Sequence, residues 1–324
     1  MTLSIDTWIQ VAAFTGGGLA MGLGAIGAAV GEGFTASEAS NAISRNPKIS
    51  GNMLKSMLVG QAIAESAAIF ALVIAVLLLF VDPGGSYLLQ APALLAAGLS
   101  MGFGAFGSGV GAGFPAGQAC LGMARQPAMS NSLSTNMLIG SAVCQTPAIF
   151  AMVIALLLMF TDFSTMPLAP TWAALLGAGL STGLAAIGSG AGGGLAAGAS
   201  CEGIARQPES IGNVTTTMLV GQAVSQTPAI FGLLISFILL FRTFPESASL
   251  SAAMAPLGAG LCMGFGGIGP GIGNGLTAEE AVRWVARNLE FTGGLTRTML
   301  VGQAVAQSTA IYAMVVSLVL IFVL

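Results

Sequence analysis

The sequence predicts an all-α membrane protein: eight transmembrane helices, arranged as four tandem helical hairpins that form part of a ring. Three observations carry this. Hydrophobic residues make up 55% of the 324-residue chain and charged residues only 6%, against about 25% charged in soluble domains. Four aliphatic stretches, 61–81, 139–160, 220–241 and 301–324, alternate with four Gly- and Ala-rich stretches, 11–33, 91–113, 172–194 and 252–275. Each is close to the ~20 residues that cross a hydrocarbon core as a helix. Finally, the chain repeats itself: Val59-Gly-Gln-Ala-Ile-Ala-Glu65, Ile139-Gly-Ser-Ala-Val-Cys-Gln145, Val220-Gly-Gln-Ala-Val-Ser-Gln226 and Val301-Gly-Gln-Ala-Val-Ala-Gln307 recur at spacings of 80, 81 and 81 residues, the signature of one structural unit copied in tandem.

Each unit runs Gly-rich helix, short polar turn, aliphatic helix. The expected boundaries are 1–82 for hairpin 1, 83–163 for hairpin 2, 164–244 for hairpin 3 and 245–324 for hairpin 4. An arginine stands twenty residues before the Glu or Gln that ends each motif: Arg45, Arg125, Arg206 and Arg287. The first three open Arg-Asn/Gln-Pro, a turn signal; in the fourth, Leu289 replaces the proline. Lys48, Lys55, Arg283 and Arg297 also flank these turns, leaving Arg242 alone at the other end. The positive-inside rule places the turns in the cytoplasm and both termini outside. No basic start precedes 1–10, so the first span is expected to act as its own insertion signal.

Composition excludes several classes. With no basic tract, a nucleic-acid footprint is not expected. Histidine is absent, and Cys120, Cys144, Cys201 and Cys262 lie in apolar stretches without ligand spacing. They read as packing residues rather than as disulfides or a zinc or haem site. No cofactor is expected. The glycines, spaced small-xxx-small, let helix backbones approach closely in lipid. They cover more than one helix face, so each Gly-rich helix should touch like helices on both sides, as in an inner ring.

Glu32 and Glu65 stand apart from the other acidic residues, which lie near span ends or in links. An ionisable group deep in a membrane is by default functional. Both lie roughly 16 residues from the turn, about 24 Å at 1.5 Å per residue. They therefore face each other across hairpin 1. The equivalent pairs are Ala112/Gln145, Gly193/Gln226 and Asn274/Gln307. Two close carboxylates in low dielectric need a proton or a cation, and an all-oxygen set with the Ser66 hydroxyl suits a hard cation. Gln145, Gln226 and Gln307 read as neutralised copies that glue helices by hydrogen bonds. Pro147 and Pro228 free carbonyls near Val143 and Val224; the simplest fate for these is a bond to water.

At Arg45-Asn46-Pro47 and Val59-Gly-Gln-Ala-Ile-Ala-Glu65-Ser66 the chain resembles the c subunit, or proteolipid, of F-type rotary ATP synthases, and the likeness covers all four hairpins. The resemblance implies a non-catalytic rotor-ring subunit that turns against the stator a subunit, docks on central-stalk subunits through its turns, and carries Na⁺ or H⁺ on Glu65. It implies stalk contact at Arg45, Arg125, Arg206 and Arg287. Glu32 and Ser66 match the sodium-binding members, whereas Phe70 and Ala67 replace a Tyr and a hydroxyl residue often found there. In such rings a neighbouring hairpin adds a carbonyl and a hydroxyl: Val143 and Thr146 if hairpin 2 is the neighbour, Val305 and Ser308 if hairpin 4 of the next chain is. Family members usually have one hairpin; four hairpins with one carboxylate imply gearing as an ATP-driven ion pump in an energy-coupling membrane. The competing readings are a proton-only ring subunit, a structural component mixed with single-hairpin subunits, and a secondary transporter or channel built from repeats.

Overall fold

A computed structural model describes residues 4–80, 87–247 and 249–323. The expected boundary at 82/83 and most of the first link lie outside the described residues. Among the described residues, eight helical segments are long and apolar enough to cross a membrane. Hairpin 1 is α1 (Ile5–Arg45) and α2 (Ser50–Phe80); hairpin 2 is α3 (Gln90–Arg125) followed by α4 (Ser130–Cys144) and α5 (Thr146–Phe160). Hairpin 3 is α6 (Leu168–Arg206) with α7 (Ile211–Ser225) and α8 (Thr227–Phe241), and hairpin 4 is α9 (Leu250–Arg287) and α10 (Thr292–Phe322).

The helices outrun the bilayer. At 41 residues, α1 is about 60 Å long, twice the ~30 Å hydrocarbon core. What the sequence presents as a polar turn is mostly helix. The break itself is one non-helical residue and a single 3₁₀ turn, as at Asn46 and Pro47–Ile49. Proline pushes the residue before it out of the α region, and Asn46, Gln126 and Gln207 have ψ of 80°, 77° and 91°. Asn288 takes the same φ −138°, ψ 76° with Leu289 behind it, so the turn does not need the proline.

The Gly-rich helices stand in one row: α1 against α3, α3 against α6, α6 against α9. The aliphatic helices lie in the grooves of that row. The α2 helix packs on α1 and α3, α4–α5 on α3 and α6, and α7–α8 on α6 and α9. Glycine makes the row possible. A Cβ on Gly190 would stand 2.6 Å from the carbonyl carbon of Gly107, and one on Gly271 2.5 Å from that of Gly188. No side chain fits there, because backbone meets backbone. Cys120, Cys144 and Cys201 are buried and Cys262 is half-buried, all with free thiols.

Candidate functional site

Hydrogen bonds from the aliphatic helices fix the height of each hairpin's two arms. One turn before the Glu65 position, Gln61 donates to the Glu32 carbonyl at 3.3 Å. Its equivalents repeat the contact: Ser141 to Ala112 at 3.2 Å, Gln222 to Gly193 at 3.0 Å, Gln303 to Asn274 at 3.0 Å. Gln222 and Gln303 each donate a second bond backward, to Gly140 at 3.0 Å and Gly221 at 3.1 Å in the preceding hairpin. These four residues were not singled out in the sequence, although three of the four copies carry Gln there.

With the arms held this way, the Glu32 and Glu65 positions come together. Hairpin 4 shows it directly, where Asn274 Nδ2 donates to Gln307 Oε1 at 2.8 Å. Glu65 itself lies about halfway along α2, exposed at the edge of the chain, and Glu32 is half-buried on α1. Gln145, Gln226 and Gln307 are only 6%, 6% and 9% exposed. The difference has one cause: each Gln is covered by the hairpin before it, and Glu65 has none before it in the chain.

The neutral copies do act as glue. Gln145 donates to the Ile63 carbonyl at 2.9 Å and Gln226 to the Val143 carbonyl at 2.5 Å, each in the preceding hairpin. The proline-freed carbonyls therefore do not rely on water. Val143, four residues before Pro147, accepts from Gln226, and Val224, four before Pro228, accepts from Asn274 at 3.4 Å. Both helices break here, between α4 and α5 and between α7 and α8. Val143 is thus engaged toward hairpin 3, and Thr146 opens α5 beyond the break. The Ser66 hydroxyl donates to its own Ile63 carbonyl at 2.6 Å, the carbonyl used by Gln145. Ser308 donates likewise to Val305 at 2.7 Å, and Val305 is 68% exposed.

At the turns, Arg45, Arg125, Arg206 and Arg287 end their helices and are exposed. Arg206 pairs with Glu202 at 2.7 Å, and Arg287 stacks over Trp284 with its guanidinium 4.8 Å from the ring centre. Arg283 of α9 reaches Glu202 of α6 at 3.3 Å, pinning two Gly-rich helices at this end. At the other end, Arg242 lies 4.4 Å over the Phe322 ring, a cation–π contact. Among the described residues no three Asp, Glu or Cys side chains are placed to hold one metal ion.

A family model for the C subunit of ATP synthase matches the chain four times, over 15–78, 95–158, 176–239 and 257–320. The K subunit of the A-type ATP synthase of Methanocaldococcus jannaschii is 35% identical over 197 residues, covering 61% of this chain and 82% of that protein. The ATP synthase c subunit of Alkaliphilus oremlandii is 48% identical over 73 residues, 22% of this chain and 82% of its own length. Its counterpart in Petrotoga mobilis, also an ATP synthase c subunit, is 50% identical over 68 residues, 21% and 71% of the two chains.

Proposed function

The chain belongs to the ATP synthase c-subunit family, and from that premise we propose that Glu65 is its one ion carrier, loading Na⁺ or H⁺ once per chain as the ring turns. The chain is a membrane rotor subunit and makes or breaks no covalent bond. One observation carries the assignment: of four equivalent positions brought against the facing Gly-rich helix, only Glu65 is ionisable, the other three being hydrogen-bonded Gln. The stator a subunit exchanges the ion. Central-stalk subunits seat on the turns through Arg45, Arg125, Arg206 and Arg287, all exposed, with Arg206 exchanging its Glu202 partner on docking; reversing the charge of Arg125 and Arg206 should uncouple ATP hydrolysis from transport.

Sodium is the cargo this site suits better. Glu32 supplies a second carboxyl at the same level. With Glu32 protonated, its hydroxyl donates to Glu65 and one Na⁺ neutralises the Glu65 carboxylate. Two carboxylates with one Na⁺ would bury a net negative charge at large cost. The test is carbodiimide labelling of Glu65 in the purified ring: Na⁺ at fixed pH should slow it. Labelling indifferent to Na⁺ between roughly pH 6 and 9 makes the cargo a proton. The turns face the cytoplasm and the links the outside; impermeant labels reaching cysteines placed at Ala128 and Ser164 from the same side would reverse that reading.

A further inference from the structure

We propose that the four turns are four different seats, and that a protein partner resting on them takes one register in four, set by the residue three places after each turn arginine: Lys48, Ala128, Glu209 and Glu290. The partner that fits carries acidic groups over hairpin 1 and basic groups over hairpins 3 and 4. This rests on the reading that central-stalk subunits seat on the turns, and adds which turn lies under which part of them.

The four positions are geometrically the same. Each is the middle residue of the single 3₁₀ turn, in Pro47–Ile49, Pro127–Met129, Pro208–Ser210 and Leu289–Phe291. The residue before each turn has φ between −143° and −135° and ψ between 76° and 91°, so the backbone presents all four alike. All four are exposed. The arginine that precedes them is common to every turn, and offers a partner the same contact four times. The charge three places on differs: positive on hairpin 1, none on hairpin 2, negative on hairpins 3 and 4. Because α1, α3, α6 and α9 stand in one row in that order, the order of charge along the chain is also its order in space.

These charges are also unspent. The other acids at the turn end of hairpins 3 and 4 are consumed by neighbours: Glu202 by Arg206 and Arg283, Glu279 and Glu280 by Arg283. Among the described residues, Lys48, Glu209 and Glu290 take part in no ion pair. They are individually legible as well. Packed helices stand about 8–10 Å apart, and exposed charges are screened beyond about 8 Å at physiological salt. A group on the partner therefore senses the turn beneath it rather than the average of four.

In a ring of these chains the order repeats every four hairpins. Sliding the partner by one, two or three hairpins always removes Lys48 from its slot and puts alanine or glutamate there, and always displaces at least one of the two glutamates. Like charges then face each other in at least one slot, which rejects the wrong register as well as favouring the right one. Register has a consequence here because Glu65 occurs once in four hairpins. Slipping by one hairpin would leave the turns seated but move the ion site by a hairpin relative to the partner, and so change when in the turning cycle the ion is exchanged.

The test uses the complete ATPase complex, with the four native cysteines of this chain replaced by alanine. One reporter cysteine is placed three residues beyond the charge position, as Gly51→Cys, Asn131→Cys, Gly212→Cys or Gly293→Cys. All four sites are exposed, and a Cβ on any of the three glycines has nothing within 4 Å. Each cysteine carries a maleimide photo-cross-linker, and the yield of cross-link to the stalk subunits is divided by the extent of labelling. The four yields should differ severalfold. The charge code is then moved by two hairpins with Lys48→Glu, Ala128→Glu, Glu209→Lys and Glu290→Ala together. The yields at 51 and 212 should exchange, and so should those at 131 and 293. Unequal yields that stay where they were overturn the register. Equal yields at all four sites of the parent also overturn it, while keeping the stalk on the turns. No cross-link from any of the four defeats the stalk seating, and the register with it.

Discussion

The side chain of Gln226 donates to the carbonyl of Val143, 2.5 Å away in the preceding hairpin, and this is the carbonyl that Pro147 leaves without its helical N–H. The proline and the glutamine form one device across two hairpins. Proline creates an acceptor in an apolar setting, and an amide from the neighbour fills it. A buried acceptor stripped of its partner costs about 1–3 kcal/mol. Gln226→Leu should therefore destabilise the chain by about that amount. In a Pro147→Ala background the restored N–H recaptures Val143, and the same change should cost clearly less. A double-mutant cycle in detergent unfolding measures the difference; strict additivity of the two changes would break the link.

Glu65→Gln should abolish ion transport and leave assembly intact. The three Gln copies already show an amide at this position, buried and bonded to a neighbour's carbonyl or to Asn274. A fourth amide has an acceptor waiting but no charge to exchange. Transport in proteoliposomes should fall to the level of vesicles without the protein, with oligomer yield unchanged on a native gel. Loss of the oligomer would make Glu65 structural.

Gly190→Ala should be costly out of proportion to one methyl group. Its Cβ would meet Gly107 and Ser108 backbone atoms at 2.6–2.7 Å, and backbone cannot step aside as a side-chain tip can. Overpacking of this kind costs about 1–3 kcal/mol. Gly212→Ala, with nothing within 4 Å, should be neutral or stabilising by up to about 1 kcal/mol, the helix-propensity gap between the residues. Unfolding of both variants in mixed micelles, compared with the parent, decides it; equal effects would mean that close approach of α3 and α6 does not limit the packing.

Much of this was legible from repetition. The spacing of Glu65, Gln145, Gln226 and Gln307 marks four hairpins, and the distance of Glu32 and Glu65 from the turn predicts the meeting seen between Asn274 and Gln307. What stayed hidden is relational. The Gln222 and Gln303 clamps bond to backbone carbonyls, which have no letter in a sequence. The length of α1 beyond the bilayer was masked by Ser37, Ser40, Asn41 and Ser44, polar residues that read as a turn although the helix continues through them to Arg45. Which hairpin covers which depends on the direction in which the row advances, and the backward bonds from Gln145 to Ile63, Gln226 to Val143, Gln222 to Gly140 and Gln303 to Gly221 reveal it.

Direction and count together set the gearing. If Glu65 is the only carrier, a ring of these chains loads one ion for every four hairpins, where a ring with a carboxylate on each hairpin loads four. Moving one elementary charge across 100 mV is worth about 2.3 kcal/mol. The ATP hydrolysed in one turn is then shared among few ions, so each can be driven up a steeper gradient. Run backward, the same ratio demands a larger potential per ion before ATP forms, so ATP-driven pumping is the expected direction. Three neutral hairpins must pass the stator between ions. Gln145, Gln226 and Gln307 ease that passage, since an amide facing the stator can still hydrogen-bond where an alkyl chain would leave polar groups unpaired. The check is the ion-to-ATP ratio in proteoliposomes set beside the hairpin count of the ring. A ratio near one ion per four hairpins supports the gearing; one ion per hairpin would overturn it and move transport to the Gln positions.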